Sequence, residues 1–592
     1  MDEEARLTMG TVSFHFHGYQ PGDIVRWVEP DPLKAPRFEE RISPVSHRIG
    51  AAKVNGQNWT DGVLHAYGQI EGVLGDVAGA ASVDIEPQTL AWLLAKDPDA
   101  YQKAMTAYEK GVVDLVLTPP FHAILPHHHR LEREILFELM IDFYAPVLRR
   151  VHGRPIGLWL PEAAYSSETL ESYAFAARRA MGNLDGLPDL ARAVHLLLDS
   201  RQITNGSHGT AWHRGPSGMP IIARDPIASG EFAFGASRPK DFVGGVNARV
   251  GDALLVAADL ESLLANAGQA DRFEAIVAAF RSAGHHVTGP APPSKLTAAQ
   301  LVEFSSWSDY DEHLVRGHTS DTRWAGLRRF DGHVVGRLHR GRRLSQLWKH
   351  AFTLATERVE TAVRRAARDL LPGKDDDRKR EALRRLAVAY ARHLWRDHYR
   401  AWSFSSSELD FAAAVPTVAR TLDVEVAAHL ARGYLMMLMG LRSDPRFWDN
   451  PDTRVTFQNV VCLTQALVDI GEAFARAHRG GQGERVLRLI RGALVDFSDA
   501  FEQQSFGGLH GAEGWETTEV AWLESLQSEV PDRSGYNVVW RASLYALNDD
   551  ERTTLVGSRV APGEVVADTG HIVGEGHGEW QNRGWCEHLA GS

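Results

Sequence analysis

Cysteine is nearly absent: two residues in 592, Cys462 and Cys586. That excludes a disulfide framework and a Cys-rich zinc site. No apolar run reaches the roughly 18 residues that a membrane-spanning helix needs. The N-terminal Met1-Asp-Glu-Glu-Ala-Arg6 lacks the apolar core of a signal peptide. Positive charge is not in excess either, since 64 Lys and Arg against 76 Asp and Glu leave a net −12. A general nucleic-acid binder needs the opposite balance to neutralise phosphates. There is no Gly-x-Gly-x-x-Gly, no P-loop and no His-Glu-x-x-His, and Gly215-Pro-Ser-Gly218 lacks the nucleophile-elbow spacing. Dehydrogenase, kinase and serine-hydrolase chemistry are thereby set aside. A cytoplasmic protein without membrane or nucleic-acid partners is expected, and nothing in the sequence specifies its oligomeric state.

What is present begins with ordinary globular composition, 44% hydrophobic and 24% charged. Less ordinary are 16 Trp and 27 His, several of them in polar loops. Flat apolar faces for stacking, together with ring donors and acceptors for hydroxyls, are what sugar sites use. Over the first 335 residues, short apolar runs alternate with helical stretches. Thr11–His17 reads as a strand, with Val12, Phe14 and Phe16 on one face and Ser13, His15 and His17 on the other. Ser82–Ile85, Val112–Leu117, Ile156–Leu160, Pro220–Ala223, Leu254–Ala258 and His286–Thr288 follow as strands. Pro98–Lys110, Leu131–Val151 and Asp271–Ala283 are among the helices between them. Such alternation means parallel strands joined by crossovers, and six or seven repeats favour a barrel over an open sheet.

The pattern changes after Gly341. Leu344, Leu347, Ala351, Ala355, Val359, Val363, Ala366 and Leu370 form one apolar helix face. Pro372–Arg380 reads as a turn with a solvated charge run, and further helices are expected at Glu381–Arg400, Val424–Leu441, Phe457–Ala477 and Gly483–Gln504. Strand-like Tyr536–Ala546 and a Gly-rich tail close the chain. The expected architecture is therefore α/β, with a parallel barrel over 1–335, an all-α domain over 336–530 and a small β-rich appendage over 531–592.

In a parallel barrel, chemistry sits at the carboxyl ends of the strands. Here those ends carry His15 and His17, then Asp84 and Glu86, His122, Trp159 with Glu162, Arg224 with Asp225, and Asp259 with Glu261. Nearly every strand ends on a His or a carboxylate, as an active-site ring would. Glu86 or Asp84 can also cap the following helix, Arg224-Asp225 can be a structural ion pair, and His127-His128-His129 reads as a solvated turn. Glu162 follows an apolar strand directly and should point into the barrel mouth. Two carboxylates there, Glu162 and Asp259, fit glycoside hydrolysis, one as nucleophile and the other as acid/base.

These residues resemble glycoside hydrolase family 57, the retaining α-glucan-active enzymes. His15-Phe-His17-Gly-Tyr-Gln20-Pro21 is similar to that family's first signature, and Gly111-Val-Val-Asp114 through His122-Ala-Ile-Leu-Pro126 to its second. Gly157-Leu-Trp-Leu-Pro-Glu162-Ala-Ala-Tyr165 matches the third, which implies Glu162 as nucleophile. Val256-Ala-Ala-Asp259-Leu-Glu261 sits at the fourth, which implies Asp259 as acid/base, and Ser305-Ser306-Trp307-Ser308 resembles the fifth. The helical part resembles the C-terminal extension of a poorly characterised bacterial branch. The resemblance implies a (β/α)7 barrel, a helical domain that helps close the cleft, and no metal or other cofactor. It also implies carbohydrate binding, with His15, His17 and His122 on hydroxyls and Trp159 and Trp307 stacked on rings. Gln20, Arg224, Asp225 and Glu261 complete the candidate contacts. After Asp259 the family's usual Gly-His is missing, here replaced by Ser-Leu-Leu-Ala-Asn-Ala-Gly268. Two rivals remain: a carbohydrate-binding relative without catalysis, and a metal-dependent deacetylase-type hydrolase using His15, His17 and an Asp.

Overall fold

The computed structural model describes residues 9–20, 66–307, 347–444 and 454–477, with breaks at 152, 185, 205–210, 236 and 265–267. It also describes short segments at 24–27, 31–34, 38–40, 53–54, 57–58, 337–339 and 342–344. Seven parallel strands close on one another: β1 (Thr11–Gly18), β2 (Ala81–Ile85), β3 (Asp114–Leu117), β4 (Ile156–Trp159), β5 (Val194–Asp199), β6 (Pro220–Arg224) and β7 (Ala253–Asp259). Each pairs with its successor. The ring then closes from β7 back to β1, in register from Thr11–Ala253 to His17–Asp259.

Six of these staves coincide with expected strands. The strand expected at 286–288 exists as His286–Val287, but it lies along β1 at Thr11 and Val12 instead of forming a stave. The remaining stave is β5, which the sequence pattern did not reveal. Its run Val-His-Leu-Leu-Leu-Asp follows directly on the short helix Leu190–Ala193, and a short apolar run reads equally well as helix or strand.

The connecting helices begin and end for local reasons. The helix α1 (Pro87–Lys96) starts at Glu86, whose carboxylate accepts from the amides of Gln88 and Thr89. The next, α2 (Pro98–Lys110), is capped by Asp97, has Pro98 in its first turn, and stops at Gly111, where φ is 72°. Further on come α3 (Arg130–Leu148), α4 (Ser167–Asn183), α5 (Pro226–Phe234) and α6 (Gln269–Ser282). The outward face of β1 packs on this layer, with Phe14 and Phe16 meeting the Phe273 ring edge-on at 4.9 and 5.4 Å.

Downstream lie α7 (Leu347–Leu370), α8 (Asp376–Leu394), α9 (Arg396–Ala401), α10 (Phe411–Val418), α11 (Val424–Met439) and α12 (Arg454–Arg476). Leu344 belongs to a short strand, not to the helix expected from it. Part of the charge run at 372–380 is helical, because Asp375 accepts from the amides of Asp377 and Arg378 and so starts α8. The single helix expected at Glu381–Arg400 is interrupted at Trp395. The expected helix at Gly483–Gln504, the strand at Tyr536–Ala546 and the whole 531–592 appendage lie outside the described residues. No helix among the described residues is long and apolar enough to cross a membrane.

The helical layer is fastened to the barrel through polar groups. Asp142 of α3 accepts from Arg392 Nε at 2.9 Å and from Tyr399 OH at 2.7 Å. His127 and His128 are buried, not solvated, and α7 packs against His128 and His129. His128 Nδ1 lies 3.4 Å from Glu360 Oε2, and the His129 amide donates to Glu360 Oε1 at 3.2 Å. Within the bundle, α11 buries every side chain from Val426 to Met439. The buried Asp469 is matched there by Arg432 Nε and His429 Nδ1, both at 2.9 Å.

Gly157 of β4 is closely packed by both neighbouring strands. A Cβ there would lie 2.6 Å from Val116 Cγ2 and 3.0 Å from Leu197 Cδ1. Gly157→Ala is expected to destabilise the protein by about 1–3 kcal/mol through overpacking, measured as a lower midpoint in urea unfolding followed by tryptophan fluorescence.

Candidate active site

Strand register builds the site. His17 stands level with Asp84 on β2 and with Asp259 on β7, at the carboxyl ends where barrel chemistry is found. Asp84 is wholly buried between two imidazoles, with His17 Nδ1 2.8 Å from Oδ2 and His15 Nε2 3.0 Å from Oδ1. Burial disfavours the Asp84 carboxylate, but the neighbouring histidines outweigh it and hold its pKa below the ordinary value. Burial likewise opposes the His17 cation, yet Asp84, assisted by Asp259 and Glu261, pushes its pKa up to about 9. His122 goes the other way: burial, then the His17 charge, hold it well below the usual imidazole range. The two rings meet Nε2 to Nε2 at 3.0 Å.

Glu162 and His122 occupy matching turns. After β3 the chain runs Pro120-Phe121-His122-Ala123, and after β4 it runs Pro161-Glu162-Ala163-Ala164. Phe121, His122, Glu162 and Ala163 all have positive φ, at 68°, 48°, 60° and 48°. Left-handed backbone costs a non-glycine residue about 1 kcal/mol or more. Local bonds hold it in place. The Phe121 amide donates to Glu86 Oε1 at 2.7 Å, the Ala163 amide to the Leu160 carbonyl at 2.7 Å, and Gln202 Nε2 to the Ala163 carbonyl at 3.0 Å. These turns bring Glu162 Oε1 to 3.9 Å from His122 Nδ1, with the Glu162 side chain only 12% exposed.

A second chain of contacts fixes the other Glu162 oxygen. Trp307 Nε1 donates to Oε2 at 2.7 Å. The Trp307 ring lies under the Arg224 guanidinium, 4.9 Å from Cζ to the centroid, and its carbonyl accepts from Arg201. Both arginines converge on Asp199 at the end of β5, Arg224 Nε at 2.7 Å and Arg201 Nε at 2.9 Å.

Asp259 keeps an exposed edge at the end of β7, yet its carboxyl is set deep enough among protein atoms that its pKa is raised. Burial is the largest cause and Asp84 adds to it, against the lowering effect of His17 and Arg224. Glu261 is pushed up to about 7 by burial and then by Asp259. It accepts from Gln20 Nε2 at 2.6 Å and from Tyr67 OH.

The structure thus brings together Glu162, Asp259, Glu261, His17, His122, Gln20, Trp159, Arg224 and Trp307. The Trp159 ring lies 5.3 Å from His15 and 5.7 Å from His17. His15 is present but fully buried, with Nδ1 on Ser82 Oγ at 3.1 Å and Nε2 on Asp84. It therefore holds Asp84 instead of a sugar. Asp225 is not in the group: it accepts from the Ile227 and Ala228 amides at the start of α5 and pairs with Arg249 at 2.6 Å. Nor do Arg224 and Asp225 pair with each other, since each has its own partner. Glu86 is the helix cap anticipated for it. Sequence reasoning missed Asp199 and Arg201, which follow from recognising β5 as a strand. It also missed Tyr19, Tyr67, and Ser443 with Asp444. Among the described residues no group of three or more His, Cys, Asp or Glu is arranged to hold a metal ion.

Two family models match, the N-terminal domain of maltose-forming α-amylase-like proteins over residues 8–186 and their C-terminal domain over 323–570. A solved exo-type maltose-forming amylase from Pyrococcus sp. ST04 is 31% identical, covers 93% of this chain and 94% of its own, and superposes with a TM-score of 0.73. A GH57-type branching enzyme from Pyrococcus horikoshii (12% identity, 79% of this chain and 95% of that one, TM-score 0.40) is too remote to carry an argument. So is a 4-α-glucanotransferase from Thermococcus litoralis (12% identity, 66% and 59%, TM-score 0.38). No curated protein matches the sequence significantly. Barrel, signatures and likeness together define an enzyme of the glycoside hydrolase family 57 class. Within it, the chain belongs to the maltose-forming α-amylase-like family.

The His17 pKa has a consequence for stability. It lies at about 9 in the folded protein against 6.5 for a free imidazole. A raised cationic pKa contributes stability that is complete below pH 6.5 and lost as pH rises through about 9. His17→Gln is therefore expected to lower the melting temperature more at pH 7 than at pH 9.5. Equal losses at both pH values in calorimetry would show that the His17–Asp84 pair does not hold this charge.

Proposed function

We propose that this protein is a retaining α-glucan hydrolase that releases maltose from chain ends. The maltose product and exo action rest on the likeness to the solved maltose-forming amylase. The mechanism rests on one observation: the strand ends bring to the barrel mouth Glu162, oriented by the Trp307 Nε1 donor on Oε2, and Asp259, whose pKa is raised as a proton donor requires.

In the first step Glu162 attacks the anomeric carbon, the glycosidic C–O bond breaks, and Asp259 passes its proton to the departing oxygen. In the second step Asp259, now ionised, takes a proton from water, which attacks the same carbon and frees Glu162. Two inversions leave the anomeric configuration unchanged. Arg224, stacked on Trp307, lowers the Asp259 pKa and so keeps the acid from holding its proton too tightly. Trp159 Nε1 and Gln20 Oε1, a buried donor and a buried acceptor lacking protein partners among the described residues, are the groups we assign to sugar hydroxyls. Along the chain, we assign catalysis to residues 1–335, a helical domain to 336–530 and a small appendage to 531–592.

Incubation with maltooligosaccharides, followed by proton NMR of the first product, tests the reading. The first maltose released should be the α-anomer. A β-anomer overturns double displacement, and longer chains or new linkages would make transfer the main reaction. Glu162→Ala should lose at least about 10³-fold in kcat, and Asp259→Asn about 10²- to 10⁴-fold. A wild type that binds glucan without turnover would instead mark a non-catalytic relative. In the same assay, Trp307→Phe keeps the ring but loses a hydrogen bond to a carboxylate, worth about 1.5–3 kcal/mol. Turnover should fall about tenfold to a hundredfold, and unchanged kcat would remove Trp307 from the mechanism.

A further inference from the structure

A short stretch of the helical region, Arg442-Ser443-Asp444, reaches into the site from beyond the end of α11. Ser443 Oγ lies 2.6 Å from His122 Nδ1. The Ser443 amide donates to the His122 carbonyl at 2.9 Å, and Arg442 bridges in β fashion to Ala123. Asp444 Oδ2 accepts from Tyr19 OH at 2.6 Å. The Tyr19 ring lies flat on His122, 4.1 Å between centroids and 8° between planes. His122 is thus held at its edge by one residue of this stretch and on its face through another. Ser443 is 1% exposed and His122 3%.

Proton counting gives this clamp a role. Asp84 on His17 Nδ1 requires a proton there. The Nε2–Nε2 contact at 3.0 Å accommodates one further proton between the rings, not two. If it rides on His17, that ring is a cation and His122 Nε2 is an acceptor. The proton of neutral His122 must then sit on Nδ1, directed at Ser443 Oγ, with Glu162 Oε1 3.9 Å away. If it rides on His122, both rings are neutral and Nδ1 turns a lone pair toward the Glu162 carboxylate. The titratable groups around His17 are Asp84, Asp259 and Glu261, of which Asp84 is the one held ionised. Around His122 they are His17, Asp84, Arg442 and, on its Nδ1 side, Glu162. Asp84, held ionised and bonded to His17 Nδ1, and the Glu162 carboxylate facing His122 Nδ1 both favour the first arrangement.

We propose that Ser443 is a positioning residue for the nucleophile: it accepts the His122 Nδ1 proton and so keeps an N–H, instead of a lone pair, on the side of His122 that faces Glu162. An N–H there stabilises the carboxylate as attacking group and again when it leaves the glycosyl intermediate. A hydroxyl suits the place because it accepts in this state and is small enough for a sealed contact. Alanine leaves a buried donor without its acceptor. The kinetic consequence rests on the glycosidase reading above, whereas the protonation pattern does not.

The test uses the full-length protein. Imidazole 15N spectra of substrate-free wild type at pH 7, with His122 identified by its loss in His122→Gln, should show Nδ1 protonated and Nε2 bare. A protonated Nε2 overturns the proposal whether or not the enzyme turns over glucan. Ser443→Ala should lower kcat about tenfold, the scale of one lost hydrogen bond, with KM changed less than twofold. Ser443→Thr, which keeps the hydroxyl, should recover most of the loss. Equal kcat in wild type and Ser443→Ala, a drop that threonine does not rescue, or an effect confined to KM would each overturn it. If the wild type is inactive but Nδ1 is protonated, the hydrolase reading fails and the Ser443–His122 assignment stands.

Discussion

A carboxylate with no access to solvent sets the electrostatics of this barrel. An unpaired ion in such a place would carry a desolvation penalty of several kcal/mol, and Asp84 avoids it through His15 on one oxygen and His17 on the other. The arrangement propagates outward. A cationic His17 keeps His122 neutral, lowers the pKa of Asp259 against the pull of burial, and stands one ring away from Glu162's partner. A single buried negative charge at the end of β2 thus influences the protonation of the groups on its neighbours. Removing it would unsettle the whole mouth.

The opposite side of the mouth is organised by packing and directional bonds. Asp199 gathers Arg224 and Arg201, these hold the Trp307 ring and carbonyl, and Trp307 holds one oxygen of Glu162. The left-handed turn at Glu162 is strained backbone kept by the bonds around it, notably Gln202 on the Ala163 carbonyl. Strain of this kind persists only when neighbours over-determine it. Here the over-determination comes from two strands, β4 and β5, and from the segment carrying Trp307.

Much of this was legible in the sequence. The alternation of β1 separated Phe14 and Phe16 from His15 and His17, and the strand-end carboxylates marked the mouth. Asp-Pro at the start of α2 and Lys-Gly at its end fixed that helix to the residue, because caps act locally. What escaped has physical causes. The Leu196–Leu198 run of β5 has no periodicity to distinguish strand from helix, and with it went Asp199. The triple histidine looked solvated because nothing near it in sequence announces α7 beside it. The fate of His15 and Asp225, one sealed under Asp84 and one spent on a helix start, depends on side-chain direction, which strand alternation only partly dictates. Ser443 and Asp444 have no motif at all. They matter only through contacts that tertiary structure creates.

The pairing of His122 with Ser443 spans 321 positions of chain. Translation delivers the barrel first, and the stretch at 442–444 emerges only after α7 to α11 have been made. A chain leaving the ribosome therefore has every barrel strand synthesised while His122 still lacks its edge contact and Tyr19 its anchor. Those contacts arrive with the bundle. Synthesis order acts here as a delay built into the covalent sequence, so that a truncated product ending before residue 442 would carry the five signatures and still lack a finished site.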